Sequence, residues 1–327
     1  MKKSVFRLAA IFLCVCLLCG GLAGCGGSAD GKLRVGIIQY MSHPSLDNCY
    51  TGIIAALEDS GIAYTAERQI GSSNSAAADC SAFAQNMVAQ GCDLIVAIAT
   101  PAATAAFAAV EGTDIPLIFC AVSDPVAAEL VTDMNAPGGN CTGTSDVLDL
   151  EAQVSLIRTV QPDVKSIGVL YTTSEQNSIS HLARLNAICG ELGIAVDAVG
   201  VQNGSDIPAA ATALAGRVDC INNFTDNNVV ENLSVVLDAA NAAGIPVYGS
   251  EEEQVAGGCL ASMSIDYVAL GKVTGEMAAS VLGGEKPATM AVRTIREATP
   301  VVNAAVAATL GLSVENIAGA SFISVSE

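Results

Sequence analysis

Charged side chains are scarce in this sequence, and basic ones are scarcest. Charged residues make up 14% of the 327 residues, and 14 lysines and arginines stand against 33 aspartates and glutamates, for a net charge of −19. No basic stripe offsets this balance. Because an acidic surface repels phosphate backbones, the composition argues against nucleic acid as a partner.

Catalytic and metal-binding motifs are also missing. The two histidines, His43 and His181, lie in no HExxH motif, and none of the cysteines after Cys25 forms a CxxC pair. The Gly138-Gly139 pair lacks the residues that complete a nucleotide-binding loop. We therefore predict a protein without metal, cofactor or enzymatic activity, in which both histidines are structural. A carboxylate-dependent hydrolase stays open as an alternative, because acidic residues are plentiful.

The chain begins with a targeting signal. Lys2, Lys3 and Arg7 form a cationic start, and an apolar run follows as far as Gly24. Leu-Ala-Gly then precedes Cys25 in a pattern that resembles a bacterial lipobox. We predict a signal peptide over 1–24, a lipid on Cys25, a tether over 25–31 and a location outside the cytoplasmic membrane. An ordinary signal peptide with a stray cysteine is the alternative.

Eight cysteines remain after Cys25, and several lie in or beside apolar strand-like runs. Free cysteine behaves there as a small buried hydrophobe. We predict mostly reduced thiols in the core, with one or more disulfides as the alternative. The eight are Cys49, Cys80, Cys92, Cys120, Cys141, Cys189, Cys220 and Cys259.

Apolar strand-like runs alternate with segments of helical periodicity, which is typical of a parallel α/β fold. The predicted strands span 32–41, 62–70, 92–99, 115–122, 166–173, 194–201, 218–224 and 245–250. The predicted helices span 44–61, 75–91, 101–112, 150–162, 178–193, 206–217 and 227–244. The glycine-rich segment 136–143 is predicted to be a loop. Segments 93–116 and 219–246 share the same order of strand, polar break, helix, Ile-Pro and strand. This internal repeat indicates two similar doubly wound parallel-sheet lobes.

Each copy of this repeat has a polar break, a short polar segment between the carboxyl end of a strand and the next helix. One break is Ala99–Thr104 and the other is Thr225–Asn228. Ligands of open parallel sheets bind at that edge, where helix N-termini point. If the two lobes face each other through these edges, the breaks line opposite walls of one cleft.

Seven motifs follow one another along the chain: VGIIQYMSHPSLD, DLIVAIATPAA, AVSDPVAAELV, PGGNCTGTSD, IGVLYTTSEQNS, TDNNVV and SIDYVALGKVTGEMAASVLGGEKP. Together they resemble the ABC-transporter substrate-binding lipoprotein family, in the group that includes tryptophan and tyrosine uptake binding proteins. The resemblance implies a type I periplasmic-binding-protein fold, clamshell closure on a small ligand and an ABC permease as partner. It also implies three crossings between lobes, which we place near Ser145, Asp266 and Arg293. The N-terminal lobe is then 32–145 plus 267–293, and the C-terminal lobe is 146–266 plus 294–327.

The predicted binding site joins a donor-rich wall to an acidic one. Thr100 and the following helix start offer free N–H groups to a carboxylate, although they also suit an ordinary helix cap. Asp226, with the Thr225 hydroxyl, is predicted to pair with an ammonium, an N-capping aspartate being the alternative. Together the two walls predict an amino-acid zwitterion as the ligand. The acidic run 251–253 is predicted to be a solvated loop in which at most one glutamate faces the cleft.

The remaining candidates lie at strand ends, helix starts and the crossings. Tryptophan is absent and aromatic residues make up 4%, so stacking on a planar ligand would rest on tyrosines such as Tyr40, Tyr171 and Tyr267. The predicted ligand-binding residues are Gln39, Thr100, Pro101, Ala102, Ser123, Asp124, Ser145, Asp146, Tyr171, Asn177, Ser178, Thr225, Asp226, Asn227 and Asp266. A binding or sensor protein of the same fold for a sugar or nucleobase is the alternative function.

Overall fold

The computed structural model describes residues 31–73, 75–295 and 298–323. The predicted signal peptide and the lipidation site Cys25 lie outside these ranges. Described strands are β1 (Leu33–Gln39), β2 (Tyr64–Ile70), β3 (Leu94–Ile98), β4 (Leu117–Cys120), β5 (Cys141–Ser145), β6 (Ser166–Thr172), β7 (Ala195–Val201), β8 (Cys220–Asn222), β9 (Val247–Tyr248), β10 (Ala261–Ser264), β11 (Arg293–Thr294), β12 (Thr299–Asn303) and β13 (Ser321–Ile323). Described α-helices are α1 (Pro44–Asp59), α2 (Ala76–Ala89), α3 (Thr100–Val110), α4 (Leu150–Val160), α5 (Gln176–Leu192), α6 (Ile207–Ala215), α7 (Asn227–Glu231), α8 (Leu233–Ala243), α9 (Glu252–Ala256), α10 (Tyr267–Leu282) and α11 (Ala304–Leu310).

The first sheet, with the helices that cover it, forms a unit that we name lobe 1. Its described strands lie in the order β2-β1-β3-β4-β5-β11, and all neighbours are parallel. Every residue of β3 (LIVAI) and β4 (LIFC) is buried. Continuous apolar strands of this kind are expected where helices cover both faces of a sheet.

The second sheet, with its own helices, forms lobe 2. Its described strands lie in the order β7-β6-β8-β9-β10-β12-β13. Neighbours are parallel except β10 and β12, which pair antiparallel. Two apolar clusters pack in this lobe, one around Leu150, Ile157 and Leu185 and the other around Leu214 and Val236. The α/β class and the two-lobed architecture predicted from the sequence are confirmed.

Within the described ranges the chain passes between the two sheets three times. The first passage follows Ser145, the second follows Ser264 and the third follows Thr294. After the second passage α10 returns to lobe 1 and packs along α1. A Cβ on Gly271 would lie 2.1 Å from the carbonyl oxygen of Cys49, so the two backbones approach too closely for any side chain there.

Three local predictions need correction. Residues 141–145 form β5 rather than a loop, and small polar residues fill this buried strand because a Cβ at Gly143 would meet the Phe119 carbonyl oxygen at 2.0 Å. The predicted helix 227–244 is two helices that meet at Asn232, whose side-chain amide donates to the Asn228 carbonyl. The acidic run is not a solvated loop, because Glu251 is buried and α9 begins directly after it.

The eight cysteines within the described ranges are all free and buried, as core thiols would be. Burial raises the pKa of several of them, for example that of Cys80 to about 12, so these thiols stay protonated at neutral pH. None of the described helices combines the length and apolar character needed to cross a membrane.

Candidate functional site

A cavity with an empty volume of about 280 Å³ lies between the two lobes. Lobe 1 contributes strand ends and helix starts, lobe 2 contributes the same kinds of position, and the crossing segments close one side. The lining residues are His43, Ser45, Leu46, Ala99, Thr100, Ala121, Ser123, Asp146, Asn177, Thr225, Asn227, Glu251 and Tyr267. The cavity therefore lies at the carboxyl edges of both sheets, where parallel α/β proteins bind ligands.

The lobe 1 wall is built on strained backbone. Ala99 follows β3 with φ 80° and ψ 153°, and Ala121 follows β4 with φ 55°. Residues other than glycine rarely adopt positive φ, and each such position costs about 1–3 kcal/mol. The methyl side chains leave room beside the cavity, and the sharp turn after β3 starts α3 at Thr100. Strain of this kind concentrates where a protein holds a ligand.

Two helix N-termini of lobe 1 face the cavity without a side-chain cap from the described residues. α1 begins after His43 and presents Ser45 and Leu46, and α3 begins after Ala99 and presents Thr100. The first N–H groups of a helix have no partner within the helix, and they carry partial positive charge. This wall therefore suits an anionic group such as a carboxylate.

The lobe 2 wall carries the acidic groups. Asn177 lies in the first turn of α5, Thr225 and Asn227 lie around the start of α7, and Glu251 precedes α9. Glu175 lies behind them, and its Oε2 accepts hydrogen bonds from the side-chain amides of Asn177 at 3.0 Å and Asn227 at 2.7 Å. These bonds fix the amides that face the cavity.

Buried acids on this side hold their protons tightly. Burial, and secondly the charge of Glu253, raise the pKa of Glu251 to about 8. Burial, and secondly the charge of Asp226, raise the pKa of Glu175 to about 8. Both carboxyls are therefore largely neutral at pH 7 in the absence of a cation.

Five buried polar atoms of the lining have no hydrogen-bond partner among the described residues. They are His43 Nδ1, Thr100 Oγ1, Asn177 Oδ1, Thr225 Oγ1 and Glu251 Oε1. A buried polar atom left unpaired costs about 1–3 kcal/mol, so native proteins rarely collect several in one place. A ligand with both donors and acceptors would satisfy them.

Asp146 closes the cavity at the first crossing. Ser123 donates to its Oδ1 at 2.8 Å and the Tyr267 hydroxyl donates to its Oδ2 at 3.0 Å. Burial raises the pKa of Asp146, while these two hydrogen bonds favour its charged form. Each carboxylate oxygen already has a partner, so Asp146 tethers the two crossing segments beside the site.

Direct contacts hold the cleft closed. The Asn48 amide of lobe 1 donates to Glu253 Oε1 of lobe 2 at 2.6 Å, and Ser73 donates to Glu231. Inside the cleft, His43 Nε2 lies 3.3 Å from Asn227 Oδ1. Burial lowers the pKa of His43 to about 4, so this contact involves a neutral imidazole at pH 7.

The structure brings six of the predicted site residues together at the cavity. They are Thr100, Ser123, Asp146, Asn177, Thr225 and Asn227. The lining also includes seven residues outside the predicted ligand-binding set. They are His43, Ser45, Leu46, Ala99, Ala121, Glu251 and Tyr267. Their shared signal was position, directly after a strand or at a helix start.

Asp226 does not fit the ammonium-binding role predicted for it. It is fully buried and caps α7, and its carboxylate accepts hydrogen bonds from Thr172, Ser178 and Val229. These four bonds, at 2.6–3.1 Å, occupy both oxygens within lobe 2. The alternative, an N-capping aspartate, is what the structure has.

The other predicted residues also lie away from the lining. Gln39 bonds to Met41, Asp47 and Arg68 within lobe 1. The rest serve local structure: Pro101 and Ala102 form the first turn of α3, Asp124 accepts from Ala127 N, Ser145 donates to the Ser123 carbonyl, Tyr171 packs in the lobe 2 core, Ser178 donates to Asp226, and Asp266 caps α10 from an exposed position.

His181 has no contact with the cavity. It is buried on α5, its ring centroid lies 5.4 Å from that of Phe224, and burial lowers its pKa to about 3. No group of His, Cys, Asp and Glu side chains in the described ranges is arranged to hold a metal ion.

A protein family and individual known proteins both resemble this chain, and they point to the same class of protein. The sequence profile of the family described as ABC transporter substrate binding protein matches residues 34–321. The tyrosine-binding protein of Clostridioides difficile (strain R20291) is 36% identical over 313 residues, which cover 92% of this chain and 90% of that protein.

Two solved structures add conformational information. The ABC domain from Streptococcus pneumonia in complex with L-Trp is 34% identical with a TM-score of 0.84, and the match covers 89% of this chain and 100% of that one. The ligand-free, open structure of a substrate-binding protein with adhesive properties from Clostridium difficile is 33% identical with a TM-score of 0.67, over 90% of this chain and 100% of that one. The TM-score is higher against the L-Trp complex than against the ligand-free, open structure, which agrees with the contacts that close the cleft in this protein.

Proposed function

This chain belongs to the family of ABC transporter substrate-binding proteins, and we propose that its ligand is a single aromatic amino acid held between the lobes. Members of this family bind small solutes outside the cytoplasm and work with ABC permeases. The protein would deliver the amino acid to such a permease, without chemical conversion of the ligand.

One observation carries the proposal: five buried polar atoms without a partner among the described residues surround one closed cavity. The cavity is small and is enclosed by residues of both lobes. A single small solute therefore fits better than a peptide or an oligosaccharide.

The two walls differ in polarity in a way that favours a zwitterion. Uncapped starts of α1 and α3 face the cavity from lobe 1, and carboxyl and amide oxygens face it from lobe 2. A neutral sugar would need neither feature. The aromatic side chain is supported by the relatives, one named a tyrosine-binding protein and one solved with L-Trp. We propose Thr100, Ser123, Asp146, Asn177, Thr225 and Asn227 as ligand contacts.

Binding can be tested by thermal unfolding of protein that has been unfolded and refolded to remove carried-over ligand. The panel is the twenty amino acids, several sugars and the nucleobases. A ligand at about 100 times its dissociation constant stabilises by about 2.7 kcal/mol, which is roughly 5–10 °C here. We expect shifts for tyrosine, tryptophan or phenylalanine; a shift for a sugar or base alone would refute the amino-acid proposal.

We also propose that the protein is anchored by a lipid on Cys25, after removal of residues 1–24. The support is the apolar leader followed by Leu-Ala-Gly-Cys. Expressed in a bacterium that processes lipoproteins, the protein should partition into detergent, whereas Cys25→Ser should partition into water. Equal partitioning of the two would contradict the anchor and leave the binding proposal untouched.

A further inference from the structure

We propose that Glu251 is the counter-ion of the ligand's ammonium group and releases a proton to solvent when the ligand binds. This inference rests on the proposed amino-acid ligand and assigns one pole of it to one side chain. The ammonium is thus assigned to Glu251 instead of the predicted Asp226, which lies 25 positions earlier in the chain.

Glu251 is buried and has an oxygen available to accept a hydrogen bond, as this role requires. Its relative exposure is 1%, and its Oε1 has no hydrogen-bond partner within the described part of the chain. It lines both the inner cavity and a groove at the mouth of the cleft, where Pro44 of lobe 1 meets Glu231 and Gln254 of lobe 2. The side chain therefore lies on the path between solvent and the inner cavity.

None of the other buried acids near the cleft, Asp146, Glu175 and Asp226, combines a place in the cavity lining with an unpaired carboxyl oxygen in the described residues. Both oxygens of Asp226 accept hydrogen bonds inside lobe 2, and both oxygens of Asp146 are held by Ser123 and Tyr267. Glu175 receives the Asn177 and Asn227 amides on one oxygen and is not part of the cavity lining. Among these acids Glu251 alone combines a place in the lining with an oxygen that is unpaired in the described residues.

The charged and titratable groups around Glu251 do not supply a counter-ion. Those that interact with its charge are Glu253 on α9, Asp146 and Tyr267 at the crossings, Cys49 on α1 and Cys259 before β10. His43 lies in the same cavity lining, but burial lowers its pKa to about 4, so the imidazole is neutral at pH 7. The cavity lining contains no lysine or arginine within the described ranges. A carboxylate in this setting is unfavourable unless a cation enters, because burial removes the solvation of its charge.

The opposite wall fixes the orientation of the ligand. Free N–H groups at the starts of α1 and α3 would receive the ligand carboxylate on lobe 1, beside the unpaired Thr100 hydroxyl. The ammonium then faces lobe 2, where Glu251 Oε1 and Asn177 Oδ1 are both acceptors without a partner in the described structure. An amino acid thus joins the lobes by its two charged ends.

The proton balance follows from burial. In the empty closed protein the pKa of Glu251 is about 8, so the group is mostly a neutral carboxylic acid at pH 7. The ligand enters as a zwitterion with its ammonium already charged. The Glu251 O–H bond breaks, the proton passes to solvent, and the carboxylate pairs with the ammonium, so one proton leaves for each ligand bound.

The test compares wild type with Glu251→Gln and with Glu252→Gln as a matched control. Glu252 is the next residue and is exposed, so its substitution removes the same charge at nearly the same place without touching the cavity. Isothermal calorimetry would measure L-tyrosine, L-tryptophan and their des-amino analogues, 3-(4-hydroxyphenyl)propionate and indole-3-propionate. Titrations at pH 7 in two buffers of different ionisation enthalpy would count released protons.

We expect Glu251→Gln to weaken the amino acids by roughly a hundredfold or more, because an ammonium would be buried without its charge partner. The des-amino acids should change little. Wild type and Glu252→Gln should release about one proton per ligand, and Glu251→Gln clearly less. Affinity of wild type should rise roughly tenfold per pH unit between about pH 6 and about pH 7.5.

Binding of amino acids by Glu251→Gln within threefold of wild type, or a wild type that releases no proton, would overturn the role of Glu251 alone. If wild type binds none of the amino acids, the proposed function fails first. Should Glu251→Gln not fold, the pH profile and the proton count of wild type still decide the question.

Discussion

Stability of the ligand-free protein should be nearly level between pH 4.5 and pH 6.5 and should fall between pH 6.5 and pH 8. Four fully buried groups with strongly shifted pKa values dominate this profile. Two are the acids Glu175 and Glu251, with pKa raised from 4.5 to about 8, and two are the bases His43 and His181, with pKa lowered from 6.5 to about 4 and about 3.

The acids favour the folded state at low pH. Between pH 4.5 and pH 8 the folded protein keeps protons on Glu175 and Glu251 that the unfolded chain has released. Their contribution is therefore complete below pH 4.5 and disappears as pH rises through 8. Each acid loses roughly 2 kcal/mol of stability between pH 6.5 and pH 8.

The histidines act in the opposite direction. Below pH 6.5 the unfolded chain binds protons at His43 and His181 that the folded protein excludes, so stability is lost as pH falls towards 4. Between pH 6.5 and pH 4.5 the two histidines cost roughly 4–5 kcal/mol, and the two acids return about the same amount. From pH 6.5 to pH 8 the acids dominate, and the net loss is roughly 2–3 kcal/mol.

Urea unfolding at pH 5.5, 6.5 and 8 would measure this profile, with low ligand carry-over confirmed first. Glu251→Gln removes one titrating acid and should abolish about two-thirds of the net loss above pH 6.5, because the gain from the histidines remains. Glu252→Gln, at an exposed position, should leave the profile as it is. Stability that is flat or rising from pH 6.5 to pH 8 in wild type would refute the assignment of neutral buried acids.

Further outcomes follow from other contacts. Gly271→Ala should destabilise by about 3 kcal/mol because its Cβ would meet the Cys49 carbonyl. Gly190 is exposed on a helix with open space around it, so Gly190→Ala should stabilise by about 0.5–1 kcal/mol. Urea unfolding that ranks the two variants the other way would contradict the packing. Asp226→Asn should cost about 3 kcal/mol of stability, since an amide cannot accept all four bonds, and an unchanged midpoint would argue against the cap. Asn48→Ala should speed ligand release about fivefold in stopped-flow traces, because it removes a bond across the closed cleft, and an unchanged rate would make that bond incidental.

Most of the fold could be predicted from the sequence because the central strands of lobe 1 are buried on both faces. Continuous apolar segments such as LIVAI leave little choice of structure. β5 was missed since Thr142, Gly143 and Thr144 carry no strand-like apolar pattern, although all are buried. The requirement for small residues there comes from the Phe119 carbonyl on the neighbouring strand, which only the tertiary structure supplies.

The site was predicted by position better than by residue role. Strand ends and helix starts led to Thr100, Asn177 and Asn227, because topology alone places those positions at one edge. The choice between acids could not be made that way. Asp226 and Glu251 both precede a helix at the carboxyl edge of lobe 2, and only the count of hydrogen bonds on each carboxylate separates them.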